Sequence, residues 1–197
     1  VMHSRAVELG ELYDVSILVA NSANDTPGTV ITKEDPTMEV RNPVRGIAHD
    51  TDVARLTVVS VPDRPGIAYQ VFQRLAEKNI NVDVILQNVS KSGVADVSFT
   101  VAMPDLEKTK CALYPVIKEI GAEDLVTDQN VAKVSIIGSG IRSHPGYAAR
   151  MFGALSADGI NILGISTSEI RITCLIEKGA VRNAVRALHK TFELEKP

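Results

Sequence analysis

Apolar and polar side chains alternate along residues 55–61, then the apolar ones shift to helical spacing along 67–78, and the same two-step pattern returns at 131–138 and 147–158. Alternation lines one face of a strand, and recurrence at i, i+3 and i+4 lines one side of a helix. The first pattern therefore predicts a strand followed by a helix that turns Val71, Phe72 and Leu75 inward. Alternating strands at 82–87 and 94–101 follow, around the polar turn Ser90-Lys91-Ser92-Gly93. A helix at 105–120 carries Leu106, Leu113, Ile117 and Ile120 at helical spacing, Gly121 is its stop signal, and a strand is expected at 124–127. The second pattern continues with strands at 162–167 and 170–176. Its last helix, at 180–192, faces inward with Val181, Ala184, Val185, Leu188 and Phe192.

The two patterns are copies of one another. Asp50 and the run Ala54-Arg55-Leu56-Thr57-Val58 match Asp128 and Ala132-Lys133-Val134-Ser135-Ile136 at a displacement of 78. Beyond the first turn, Pro65-Gly66, Phe72, Leu75 and Ile80-Asn81 match Pro145-Gly146, Phe152, Leu155 and Ile160-Asn161 at a displacement of 80. A periodicity interrupted only at one loop marks a duplicated supersecondary unit. The reading is α+β, two ferredoxin-like βαββαβ units in tandem. The second copy shows no strand after its last helix. Residues 44–49 precede the first copy where 123–127 precede the second, so 44–49 are expected to close the second sheet and leave no open edge there.

Residues 1–37 lie outside the repeat. They carry a helical pattern at 5–13, a short strand at 15–20, a polar turn at 21–28 and a second short strand at 29–31, with 32–42 as a linker. That is too little for a domain, and the expectation is a piece of a fold completed by other residues. The units are then 44–129 and 130–197, the latter borrowing strand 44–49.

Composition narrows the function. Hydrophobic residues make up 45% and charged ones 23%, enough to bury a core. The net charge of −3 argues against a nucleic-acid partner. No apolar run approaches the length of a membrane span, and the first residues do not read as a secretion signal, which points to the cytoplasm. Cys111 and Cys174 both sit in apolar periodic segments and are expected as buried, reduced thiols without chemistry.

The stretch with chemistry is Asp63-Arg64-Pro65-Gly66, repeated as Ser143-His144-Pro145-Gly146. A Pro-Gly turn opening a helix leaves the first amides unpartnered, and such an end attracts an anion. A free amino acid presents a carboxylate for the amides of Gly66, Ile67 and Ala68 and an ammonium for Asp63. The backbone at Asn81-Val82 and Asn161-Ile162 lies where a helix has ended and an inner strand begins. Gln87, Asn88, Asp96 and Ser98 lie on or beside the paired strands and can read a ligand hydroxyl or amine. Other readings of these residues are ordinary scaffold turns, with Asn81 and Asn161 as post-helix turn residues and Ser166-Thr167-Ser168-Glu169 as a self-bonded turn.

Val61-Pro62-Asp63-Arg64-Pro65-Gly66, Asn79-Ile80-Asn81-Val82-Asp83 running into Gln87-Asn88-Val89-Ser90, and Ser143-His144-Pro145-Gly146 with Ile165-Ser166-Thr167-Ser168-Glu169-Ile170-Arg171-Ile172 resemble the tandem ACT-domain regulatory region of aspartate kinases. His3-Ser4-Arg5-Ala6-Val7 and Pro27-Gly28-Thr29 resemble the close of that family's kinase domain. The resemblance implies feedback control of aspartate phosphorylation, with lysine, threonine or both bound at ACT interfaces. It also implies a homodimer through ACT domains, and a catalytic domain or alpha subunit as partner. ATP and Mg belong to that absent kinase part, so no cofactor and no activity are expected of this chain alone.

The resemblance carries over an effector-binding role to Asp63, Pro65, Gly66, Ala68, Asn81, Asp83, Gln87, Ser98 and Asn161. Asp83 would meet the side-chain ammonium of lysine, and Leu163 stands at the equivalent position of the second unit. Ser143 and His144 replace Asp63 and Arg64 there, which removes an ammonium partner. The competing readings are a free-standing ACT pair controlling another enzyme or a transcription response, an RNA-binding βαββαβ platform, and a small hydrolase. A platform needs exposed stacking aromatics, whereas the strands offer only Phe99. A hydrolase needs a nucleophile with a base or a metal cluster, and no such set stands out.

Overall fold

The computed structural model describes residues 3–24, 26–32, 44–89, 93–138, 141 and 145–195. Most of the linker at 32–42, the turn residues Ser90, Lys91 and Ser92, and both Ser143 and His144 lie outside the described residues. Two units separate, 1–42 and 43–197.

The first unit holds helix α1 (Ser4–Leu12) and the strands β1 (Ile17–Val19) and β2 (Thr29–Ile31), paired antiparallel with Ile17 opposite Ile31. The imidazole of His3 caps the helix by accepting from the Arg5 amide. Leu12, Tyr13 and Leu18 are each more than half exposed. Three short elements offer them too little neighbouring surface to pack against.

The second unit contains β3 (Gly46–Asp50), β4 (Val53–Pro62), α2 (Ile67–Glu77), β5 (Asp83–Val89), β6 (Val94–Ala102), α3 (Leu106–Ile120), β7 (Asp124–Asp128), β8 (Val131–Ile137), α4 (Tyr147–Ala157), β9 (Gly164–Thr167), β10 (Arg171–Glu177) and α5 (Val181–Thr191). They form two four-stranded antiparallel sheets, β5-β6-β4-β7 and β3-β8-β10-β9. These are two ferredoxin-like units with one strand order. β3 takes the place in the second sheet that β7 takes in the first, with Ile47 opposite Ile136 as Leu125 is opposite the equivalent Val58. Val44, just ahead of β3, is fully buried in the second core.

Alternation decides which side of each sheet meets helices. Ala54, Leu56 and Val58 with Ala95, Val97, Phe99 and Val101 form the first core against Val71 and Leu75 of α2 and Leu113 and Ile117 of α3. Phe99 meets Phe72 edge to face at 5.4 Å. Ala132, Val134 and Ile136 with Ile172, Cys174 and Ile176 do the same against Met151 and Leu155 of α4 and Ala184 and Leu188 of α5. Burial pushes the Cys174 thiol up to about 12, which keeps it protonated and inert. Cys111 departs from expectation: it is exposed, because the inward stripe of α3 runs through Thr109, Ala112, Leu113 and Val116 and leaves position 111 on the solvent side.

The opposite faces of the two sheets also meet, β5 against β9 and β4 against β8. Val84, Thr100, Ser135, Thr173 and Leu175 are buried yet belong to neither helix-side core. Gly164 permits this approach, since a Cβ there would stand 2.6 Å from Cδ1 of Leu86 on the facing sheet. Ser135 and Thr173 satisfy one another at 2.8 Å, whereas the buried Thr100 hydroxyl has no partner among the described residues. Thr100→Val keeps the shape and removes an unpaired polar group, so it is expected to raise stability by about 1 kcal/mol in chemical denaturation. A loss of that size would mean the hydroxyl is paired in solution. Among the described residues, no helix is long and apolar enough to cross a membrane.

Candidate functional site

Strand β4 delivers the chain to the turn through a bulge. Its pairing with β6 slips between Val58 and Val61, where Ser60 adopts a positive φ of 54°. The Asp96 carboxylate accepts from the Ser60 amide at 2.9 Å, and the Ser60 hydroxyl donates to Glu123 at 2.9 Å, which hold the bulge. Val61 and Pro62 are thereby redirected, and the Asp63 amide donates to the carbonyl of Gly93 at 3.0 Å. Gly66 follows in the left-handed region at φ 96°, ψ −15°, where a side chain is strained, and α2 begins at the next residue. The amide of Ile67 reaches back to the Arg64 carbonyl at 3.5 Å, while those of Gly66 and Ala68 have no backbone partner among the described residues.

A concavity of about 340 Å³ opens here, lined by Val61 to Ala68 without a break and by Gln87 and Val97. Unpaired amides at a helix start favour negative charge, and the Asp63 carboxylate favours positive charge. The turn thus offers both partners that a zwitterion needs. Gln87 adds an amide from β5, set beside Val97 by the cross-strand pairing of these two residues.

Six of the thirteen effector residues expected from sequence, Asp63, Pro65, Gly66, Ile67, Ala68 and Gln87, line this concavity. The other seven do not. Asn88 is exposed opposite Asp96, one residue further along β5. Ser98 alternates away from Val97 and shares a hydrogen bond of 2.8 Å with Thr57 on the face turned from the helices. Asn81 and Asn161 are exposed, Val82 packs against the first core, and Ile162 packs against the second.

Asp83 is placed elsewhere again. Its carboxylate accepts from Lys133 Nζ at 2.8 Å and lies 3.8 Å from the Arg171 guanidinium, both from the second βαββαβ unit. Partial burial pushes the Asp83 carboxyl up, but the hydrogen bond and charge of Lys133, the Val84 amide and the Arg171 charge outweigh it and hold the group below its ordinary value. A depressed carboxyl contributes stability at neutral pH, and that contribution is lost as pH falls below the ordinary carboxylate range and through the lowered value.

Val61, Pro62, Arg64 and Val97 line the concavity and were not among the expected residues. Val97 follows from the register of β5 on β6, which an apolar alternation by itself does not specify. The equivalent turn of the second unit repeats the backbone: Gly146 has φ 105°, ψ −14°, and its carbonyl accepts from the Arg150 amide as that of Gly66 accepts from Gln70.

Family models described as ACT domain match residues 55–110 and 134–192. The chain is 44% identical over 197 residues to an aspartate kinase of Pseudomonas fluorescens (strain SBW25), covering 100% of this chain and 48% of that protein. It therefore spans about half the length of the curated relatives it matches. Among solved structures it is similar to the ligand-free regulatory subunit of aspartate kinase from Thermus thermophilus, with 42% identity and a TM-score of 0.73 over 76% of this chain and 99% of that one. It is also similar to a chain of the crystal structure of aspartokinase alpha and beta subunits, with 46% identity and a TM-score of 0.72 over 77% of this chain and 99% of that one.

Proposed function

Because the chain belongs to the family of ACT-domain regulatory regions of aspartate kinases, we propose that it is an amino-acid sensor that binds lysine, threonine or both in the concavity at residues 61–68 and feeds back on aspartate phosphorylation. The observation that carries the reading is the turn itself. It sets open helix-start amides and the Asp63 carboxylate around one space of about 340 Å³, and these answer the two charged ends of a free amino acid. Val61, Pro62, Ile67 and Val97 supply the apolar wall that excludes water and strengthens those contacts.

The remaining half of the site comes from a second copy of the chain. Ile85 on β5 and Ile165 on β9 occupy equivalent positions of the two units, and both are exposed, 51% and 40%. Each lies on an edge strand, where backbone groups stand ready for further pairing. Pairing along these edges brings a neighbour beside Gln87 and Asn88, and a ligand held there favours the paired state by its difference in affinity for the two arrangements. The catalytic domain, with its ATP and Mg, covers the exposed apolar residues of α1 and β1. Phe99, 1% exposed, offers no stacking surface to RNA, which removes the support for a nucleic-acid platform.

Calorimetric titration of lysine and of threonine, with sedimentation at each end point, tests the reading. Saturable heat with a gain in mass is expected, and no heat from either amino acid would refute it. Asp63→Asn is expected to weaken the bound amino acid by about 1.5–3 kcal/mol, roughly tenfold or more, because it removes the charge that faces the ligand ammonium. Unchanged affinity would assign the ammonium to another group.

A further inference from the structure

The surface between the two ACT sheets carries a pseudo-symmetric set of charges that the amino-acid site does not use. Arg55 on β4 and Lys133 on β8 are equivalent in the repeat, as are Asp128 on β7 and Asp50 on β3. Each cation pairs within its own sheet: Arg55 Nη2 with Asp128 Oδ2 at 3.0 Å, and Lys133 Nζ with Asp50 Oδ2 at 3.2 Å. Each also reaches across to the other sheet. Lys133 donates to Asp83 Oδ2 at 2.8 Å, and Arg55 Nη1 donates to the carbonyl of Leu163 at 3.5 Å. Asp83 and Leu163 are themselves equivalent positions, so one crossing is ionic and the other ends on a neutral carbonyl.

We propose that Lys133 and Asp83, with Asp50 and Arg171 beside them, form an ionic latch that fixes the angle between the two sheets, and that Asp83 serves this latch instead of a ligand's ammonium. An isolated surface ion pair contributes little, since water screens it and two side chains lose freedom. Lys133 is different. Its side chain is 16% exposed and lies between carboxylates of two sheets, one of them also facing Arg171. Removal of Asp83 leaves Lys133 its partner in its own sheet, Asp50, and loses only the contacts that cross between sheets, to Lys133 and to Arg171. The difference between Asp83 and Leu163 is then explained by the seam: one carboxylate there suffices to hold the pair, and no ligand enters into it.

Hydrogen exchange on the whole 197-residue chain, without amino acids, tests the latch independently of the concavity. Asp83→Asn and Lys133→Met are each expected to speed amide exchange in β5 and β9 by about fivefold while α2 and α4 keep their rates. The double variant should fall short of the product of the two singles, because both remove the Lys133–Asp83 contact, while Lys133→Met also loses Asp50 and Asp83→Asn also loses the charge facing Arg171. Lys133→Arg retains the charge and should retain slow exchange. Unchanged rates in β5 and β9, an equal rise along the whole chain, or a double variant whose effect is the product of the two singles would each overturn the latch.

Discussion

Phe99→Ala is expected to lower the stability of this chain by about 3–5 kcal/mol, the cost of emptying a fully enclosed aromatic site. The ring is 1% exposed, lies at the centre of β6, and makes the edge-to-face contact with Phe72 that ties α2 to the sheet. Its cross-strand partner on β4 is Leu56, itself fully buried, so the surrounding strands have little freedom to close over the space. In scanning calorimetry the loss corresponds to a fall of roughly 6–20 °C in the midpoint for a chain of this size. A midpoint within about 2 °C of the parent would mean that the core around Phe99 is not packed as described.

Gly66→Ala and Gly146→Ala form a pair whose comparison separates scaffold from function. Both glycines sit in the left-handed region at the start of a helix, with φ 96° and 105°, and an added Cβ meets nothing within 4 Å at either. The penalty is therefore conformational, about 1–2 kcal/mol for each, and the two should agree closely. Their effects on amino-acid binding should not agree. Gly66 lines the concavity and presents its amide there, so Gly66→Ala is expected to weaken lysine or threonine roughly tenfold or more. Gly146→Ala, in the copy where serine and histidine replace Asp63 and Arg64, should leave that affinity near the parent value. Equal losses of binding in the two variants would overturn the assignment of the site to the first unit.

The tandem architecture was legible because its signals are local. Alternation of Leu56 and Val58 with Arg55 and Thr57, helical spacing of Val71, Phe72 and Leu75, and the Pro-Gly turn each act within a few residues. The duplication supplied a second reading of every element, and the match of 44–49 with 123–127 identified the strand that closes the second sheet. The turn half of the proposed site was legible for the same reason. Asp63, Pro65, Gly66, Ile67 and Ala68 are consecutive or nearly so, and one local conformation brings them to one place.

What the sequence by itself determined, then, is the pair of units, their strand order through the repeat, and the Pro-Gly helix start whose residues line one concavity. Only the tertiary structure decided the partners of side chains distant along the chain. Ser98 and Val97 are neighbours in sequence, yet the pleat sends one to Thr57 and the other to the concavity. Asp83 bears a charge suited to a ligand, yet the packing of two sheets supplies Lys133 from 50 residues away. Periodicity states which face a residue occupies; it does not state what stands opposite that face, because this depends on how whole sheets meet.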